Sequence, residues 1–60
     1  MFKKGDIVLT NRKDLLGVPM VITHLSKPLQ LCSCEYWIGN ELFEEEFEFN
    51  KLTVIMEAKD

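Results

Sequence analysis

The sequence predicts a small all-β domain built from five short strands. Short runs of β-branched and other apolar residues alternate with turn signals rich in Gly, Pro and Asn. No segment keeps the 3.6-residue apolar period of an amphipathic helix for three turns. A chain of 60 residues forms one domain at most. We therefore expect a single domain over residues 1–60, with a polar tail at 57–60.

Each predicted strand is bounded by a turn signal or a polar loop. Gly39-Asn40 is typical of a two-residue hairpin turn, because both residues tolerate positive φ. Residues 49–51 are predicted to form a short helical turn before the last strand. The strands are predicted over residues 7–10, 18–25, 29–38, 41–47 and 52–56.

Five short strands joined by tight turns favour a small closed or nearly closed barrel. One alternative concerns residues 41–49, which could form a helix with Leu42, Phe43 and Phe47 on one side. The Gly39-Asn40 turn favours the hairpin over that helix.

The net charge is −3 and is distributed unevenly along the chain. Residues 1–30 hold five basic and two acidic residues, whereas residues 31–60 hold two basic and eight acidic ones. This balance weighs against general nucleic-acid binding. No apolar run approaches the roughly 20 residues of a membrane span, and the start of the chain is not that of a signal peptide. We expect no membrane association and a cytoplasmic location, where both cysteines would be reduced.

A family resemblance begins at the Gly-Asp-Ile-Val run and is strongest in the second half of the chain. The matching residues are Gly5-Asp6-Ile7-Val8, Pro19-Met20, Cys34-Glu35-Tyr36-Trp37, Gly39-Asn40, Leu42, Phe47 and Leu52. Over residues 2–55 the chain resembles the YodC-like family of small uncharacterised bacterial proteins. The resemblance implies a five-stranded SH3-like barrel, with a short 3-10 turn before the last strand, and lends no established function.

The chain departs from that family at a few positions. Leu9 stands where the family usually has a polar residue, and Val21 stands where it often has a threonine. Tyr36 occupies the usual tryptophan position, with Trp37 beside it. These departures make the outer surface more apolar than in other members.

Neighbouring residues in a strand point to opposite faces, so Tyr36 and Trp37 cannot both face the core. The predicted core comprises Val8, Met20, Ile22, Leu42, Phe47 and Leu52. The apolar residues left for a protein-interaction surface are Leu9, Val21, Phe43 and one or other of Tyr36 and Trp37. Alternatively, the loop that contains Leu15 and Leu16 folds over these residues and covers them.

Cys32 and Cys34 point to one face of a predicted strand, and His24 lies on the neighbouring strand. A structural zinc site needs a full tetrahedral set of ligands, and only these three candidates are available. The favoured interpretation is a pair of small, partly buried thiols. A thiol–histidine nucleophile would lack an orienting residue and an oxyanion hole. We therefore expect no metal, no cofactor and no catalytic residue.

Five glutamates crowd the fourth predicted strand, at Glu41, Glu44, Glu45, Glu46 and Glu48. The simpler interpretation is a solvated strand whose charge prevents edge-to-edge stacking of sheets. The alternative is an acidic patch that meets a basic partner or mimics nucleic-acid phosphate.

Four basic residues lie near the start and in the first loop, at Lys3, Lys4, Arg12 and Lys13. They form a candidate basic patch for nucleic acid, since SH3-like barrels can bind it through such a loop. Ordinary solvated side chains are the favoured interpretation.

The sequence thus predicts a non-catalytic protein-interaction module that associates with itself or with a partner protein. A second hypothesis is a nucleic-acid-associated regulatory domain that uses the basic patch. A third is a small phage-type inhibitor that presents its acidic patch to a basic host protein. No biological process follows from any of these patterns.

Overall fold

In a computed structural model, which describes residues 1–59, five antiparallel strands form one sheet in the order β4-β3-β2-β1-β5. The strands are β1 (Ile7–Thr10), β2 (Met20–Ser26), β3 (Leu31–Ile38), β4 (Glu41–Glu48) and β5 (Leu52–Met56). Two 3-10 turns lie at Lys13–Leu15 and Phe49–Lys51, and no helix within residues 1–59 has the length and hydropathy to cross a membrane. The all-β prediction is confirmed. The sheet is not closed, because β4 and β5 form its two edges over the described residues. Asp60, the end of the predicted polar tail, lies outside those residues.

β3 starts two residues later than predicted because the preceding turn is longer. Gln30 has a positive φ of 55°, a left-handed conformation that ends the turn. Its backbone N–H donates to the carbonyl of Lys27 at 3.2 Å, and its own carbonyl accepts from the N–H of Phe49 at 2.9 Å. The turn is therefore joined to the start of the second 3-10 turn.

β3 and β4 form a regular hairpin from Ile38 opposite Glu41 to Leu31 opposite Glu48, with no register shift. The hairpin prediction is confirmed, and the helical alternative for residues 41–49 is wrong. Gly39 has a φ of 60°, whereas Asn40 is not in the positive-φ region. Positive φ at the first turn residue alone is the pattern of a type II′ turn.

The core lies on the inner face of the sheet. The prediction is correct for five of its six members, and wrong for Leu42, which is half exposed. Leu42 and Phe47 are an odd number of residues apart in a strand without a bulge, so they must point to opposite faces. The buried apolar residues are Val8, Leu15, Met20, Ile22, Cys32, Cys34, Tyr36, Phe47 and Leu52.

Leu15 joins this core from the loop between β1 and β2, which the sequence predicts as merely polar. The 3-10 turn Lys13–Leu15 positions it, and the carbonyl of Leu15 accepts the N–H of Val18 at 3.1 Å. Leu16 is exposed. The loop therefore packs into the core, and the alternative that Leu15 and Leu16 together cover the outer apolar residues is wrong.

A terminal clamp, formed by Gly5, Asp6 and Ala58, joins the two ends of the chain. The buried Asp6 carboxylate accepts backbone N–H groups of Ala58 at 2.7 Å and Lys3 at 3.0 Å. The bond from Ala58 lowers the pKa of Asp6 most, against the opposing effect of burial. Gly5 donates to the carbonyl of Ile22 at 2.8 Å with a φ of 93°, and a Cβ there would lie 3.1 Å from the Ala58 Cβ. Gly5 and Asp6 therefore both contribute contacts that hold the two ends of the chain together.

Candidate interaction surface

The β3–β4 hairpin extends beyond the strand that supports it. β2 pairs with β3 only as far as Val21 opposite Glu35. Residues 36–38 and 41–43, which we call the hairpin end, pair with each other but with no other strand among residues 1–59. Side chains at the hairpin end therefore lack the neighbours that the middle of a sheet would supply.

Four large apolar side chains are exposed at the hairpin end. The exposed fractions are 62% for Trp37, 50% for Leu42, 46% for Ile38 and 39% for Phe43. Trp37 and Leu42 are directly opposite each other and share the outer face of the sheet. An exposed apolar pair such as Trp37 and Leu42 on one face is typical of interaction sites.

Of the two predicted aromatic neighbours, Trp37 points outward and Tyr36 does not. Tyr36 is only 6% exposed, because alternation puts it on the inner face with the core residues Cys32 and Cys34. Tyr36 is therefore removed from the predicted surface. Phe43 also lies on the inner side, where its ring stacks on that of Tyr36 at 5.6 Å and 19°, but its position at the hairpin end leaves it partly exposed.

Leu9 and Val21, the remaining members of the predicted surface, are half-buried on the outer face. Val21 lies between Ile7 of β1 and Glu35 of β3 in one row across the sheet. Neither Leu9 nor Val21 belongs to the core or packs against it. Leu9 and Val21 are therefore partly exposed apolar residues of the outer face, and Glu35 lies beside Val21 on the side of the hairpin.

The predicted acidic patch is divided between the two faces of β4. Glu44, Glu46 and Glu48 alternate along the outer face, while Glu41 and Glu45 belong to the inner one. Glu44 accepts the Thr23 hydroxyl at 2.7 Å and stands directly opposite Glu35. Opposed like charges destabilise a sheet. The outer face thus concentrates negative charge beside the hairpin end.

Glu45 is held by the loop between β1 and β2. The Arg12 guanidinium donates two hydrogen bonds to the Glu45 carboxylate, both at 2.9 Å, and two to Asp14, at 2.7 and 3.1 Å. Its central carbon also lies 5.3 Å from the centre of the Phe47 ring. The Tyr36 hydroxyl donates to Glu45 as well. The bonds from Arg12, and then from Tyr36, lower the pKa of Glu45 to about 2.

Because Arg12 is engaged by two carboxylates, the predicted basic patch loses its strongest phosphate ligand. The guanidinium N–H groups bonded to Asp14 and Glu45 are the donors that a bidentate phosphate contact would use. Lys4 and Lys13 are exposed, and Lys3 is half-buried. The arrangement offers little support for the nucleic-acid hypothesis.

The two cysteines and His24 do not form a site. Cys32 and Cys34 are free, fully buried thiols, and burial raises the pKa of Cys34 to about 12. A register shift between Ile22 and His24 places His24 opposite Ser33, on the face away from both thiols. Within residues 1–59, no three His, Cys, Asp or Glu side chains are grouped so as to hold a metal ion.

Two of the open clefts on this protein lie beside the first loop and beside the second 3-10 turn. One, of about 250 Å³, lies between the first loop and β4 and is lined by Thr10, Asn11, Arg12, Phe47 and Lys51. The other, of about 340 Å³, is lined by Pro28, Leu29, Gln30, Glu48, Phe49 and Asn50. Neither set contains a cysteine or a histidine. A third cleft, of about 110 Å³, has His24 in its lining but no cysteine, so none of these three clefts brings a thiol and the imidazole together.

No protein-family model, curated protein or solved structure matches this chain at a significant level. The resemblance to the YodC-like family therefore stays a prediction from the sequence. A functional proposal must therefore rest on the geometry of the hairpin end and of β4.

Proposed function

We propose that this chain is a non-catalytic protein-interaction module that self-associates through its hairpin end. The observation that carries the proposal is the exposure of Trp37 beside Leu42 on a hairpin that extends past its supporting strand. Tryptophan is enriched among the residues that dominate binding energy at protein interfaces. Burying this pair against a second copy would remove a large apolar area from water.

The SH3-like barrel is part of the same proposal. The strand order β4-β3-β2-β1-β5 and the 3-10 turn immediately before β5 support it. Backbone pairing between β4 and β5 would close the barrel and is absent from the described sheet. Instead, the bonds from Arg12 to Glu45 join the first loop to the edge strand β4. Two free, buried thiols also fit a reducing compartment such as the cytoplasm.

A two-fold contact between copies would place each Trp37 against the hairpin end of the other. Glu35 and Glu44 form the next outer-face pair along the hairpin, so their charges would approach one another across the contact. Salt screens such repulsion and leaves apolar burial unaffected or strengthened. Self-association should therefore become stronger as the salt concentration rises.

The test is sedimentation velocity over a range of protein concentrations, at about 20 mM and about 500 mM NaCl. We expect a concentration-dependent dimer that is more populated at the higher salt. Leu42→Ser and Trp37→Ser should each leave a monomer. Leu16→Ser is the matched control, because Leu16 is 63% exposed but lies in the first loop, and this variant should associate as the wild type does.

Two results would contradict the proposal. One is a monomer at every concentration and salt level. The other is equal association of the Leu42→Ser and Leu16→Ser variants, which would show that the hairpin end is not the contact.

A further inference from the structure

The edge strand β4 has backbone groups that no other strand uses. A two-residue turn makes the residues that flank it a hydrogen-bonded pair, here Ile38 and Glu41. Bonded and non-bonded pairs alternate along an antiparallel ladder. The residues of β4 whose N–H and C=O groups point away from β3 are therefore Leu42, Glu44, Glu46 and Glu48.

Three of these four residues are glutamates with side chains on the outer face. Glu44 and Glu46 each present a carboxylate and, at the same residue, an outward N–H and C=O. Glu48 presents its carboxylate, but its C=O is used by the 3-10 turn that follows. Over residues 1–59 no strand pairs with this edge. Arg12 engages Glu45, on the other face, and leaves the outer row of carboxylates in place.

We propose that the β4 edge binds an extended segment of a partner protein that carries Lys or Arg at alternate positions. The segment adds to the sheet as an antiparallel strand, with basic residues opposite Glu44 and Glu46, and a third basic residue lies beside the Glu48 carboxylate at the end of the pairing. Residues opposite one another in this register exchange both backbone hydrogen bonds and share a face. Each basic side chain opposite Glu44 or Glu46 therefore meets a carboxylate at the point where its own backbone is bonded.

The negative charge of the β4 edge favours binding of a basic segment over pairing with a second copy of the chain. Antiparallel pairing of two β4 strands would set glutamates opposite or diagonal to glutamates, which is destabilising. β5, the other edge, spans Leu52–Met56 and holds no basic residue. The docking edge is thus separate from the self-association proposed for the hairpin end, and it has the opposite salt dependence, since screening weakens attraction between unlike charges.

The test is an NMR titration with a peptide of the pattern Lys-Thr-Lys-Thr-Lys, flanked by neutral residues. It is performed on the Trp37→Ser variant, and in parallel on the wild-type chain below the concentration at which it self-associates. We expect amide shifts and slower hydrogen exchange at Leu42, Glu44, Glu46 and Glu48. Binding should weaken as salt is raised from about 20 mM to about 500 mM.

Peptides methylated at backbone nitrogen test the strand geometry. N-methylation at the lysines removes the N–H groups that face β4 and should weaken binding by about tenfold or more. N-methylation at the threonines affects groups that face away and should change binding little. Equal effects at the two sets of positions, or amide shifts confined to other elements, would overturn the proposal.

Glu46→Gln and Glu57→Gln form a matched pair, since each removes one exposed carboxylate and Glu57 lies beyond β5. We expect a loss of about threefold in affinity for Glu46→Gln and none for Glu57→Gln. Equal effects would mean that only net charge attracts the peptide. The titration follows peptide binding at the β4 amides, whereas sedimentation velocity follows self-association at the hairpin end. A negative result in one experiment therefore does not decide the other.

Discussion

The terminal clamp and the hairpin end invert the usual distribution of polar and apolar residues. In the clamp, the charged residue Asp6 is fully buried, whereas at the hairpin end Trp37 is the most exposed of the large apolar side chains. Each oxygen of Asp6 accepts a backbone N–H, so burial leaves it without an unmet hydrogen bond. Trp37 is exposed because β2 ends its pairing with β3 before reaching it. In both regions, the burial of a side chain depends on the neighbouring groups available to it as well as on its polarity.

This difference separates residues that maintain the fold from residues that are available for binding. Substitutions in the clamp should lower stability and leave the binding surface unchanged. Substitutions at the hairpin end should do the reverse. The following experiments test that division, beginning with the largest expected change in stability.

Asp6→Ala should produce the largest loss of stability. It removes both acceptors for Lys3 and Ala58 and loosens both ends of the chain at once. We expect the Tm to fall by about 10 °C or more, measured by circular dichroism. Glu46→Ala is the control, because Glu46 is exposed on β4, and its Tm should stay close to that of the wild type. Equal effects at the two positions would contradict a clamp role for Asp6.

Gly5→Ala should lower the free energy of unfolding by about 1–3 kcal/mol. The φ of 93° is unfavourable for alanine, and the new Cβ would press on Ala58 at 3.1 Å. Gly39→Ala separates the two causes, since Gly39 also has positive φ but no atom lies within 4 Å of the added Cβ. Urea denaturation should find the larger loss at Gly5. A larger loss at Gly39 would be inconsistent with close packing at the clamp.

Acid should destabilise the protein through one carboxylate in the terminal clamp and one on β4. Asp6 and Glu45 have pKa values below their ordinary range, to about 2 for Glu45. The folded state therefore binds fewer protons than the unfolded chain, and stability decreases as the pH falls from about 4 to about 2. Above that window these groups contribute their full stabilisation.

Urea midpoints measured across this pH range check the prediction. Glu45→Gln should make the acid-induced loss shallower, because one carboxylate with a lowered pKa is removed. A midpoint that rises on acidification would show that these pKa directions are wrong.

Trp37→Ser should have the smallest effect on stability, within about 0.5 kcal/mol of the wild type. The side chain is mostly exposed and is not among the residues that form the core or pack against it. Thermal unfolding at a low protein concentration, where association does not contribute, is the appropriate measurement. A large fall in Tm would place Trp37 with the clamp residues and remove the contrast between the two regions.

Local signals in the sequence were sufficient for most of the strands. The Gly39-Asn40 turn placed the hairpin, and the 3-10 turn at Phe49–Lys51 was predicted correctly. The error at Leu42 arose because an assignment to the core overrode the strict alternation from Phe47. A count of residues along the uninterrupted strand could have corrected it.

Other features depended on contacts between distant segments. Leu15 gave no local sign that its loop would enter the core. The bonds between Arg12 and Glu45 join residues far apart in sequence, so no pattern within either segment could predict them. The register shift that turns His24 away from the thiols is likewise a property of the paired strands.

The sequence by itself determined the all-β class, five strands and the positions of their turns, because hydrophobic periodicity and turn chemistry act over a few residues. Only the tertiary structure decided which aromatic side chains are buried, which carboxylates are paired and where β2 ceases to support the hairpin. Those outcomes depend on the register and length of strands packed side by side, and they place Trp37 and the outer glutamates of β4 where a partner could reach them.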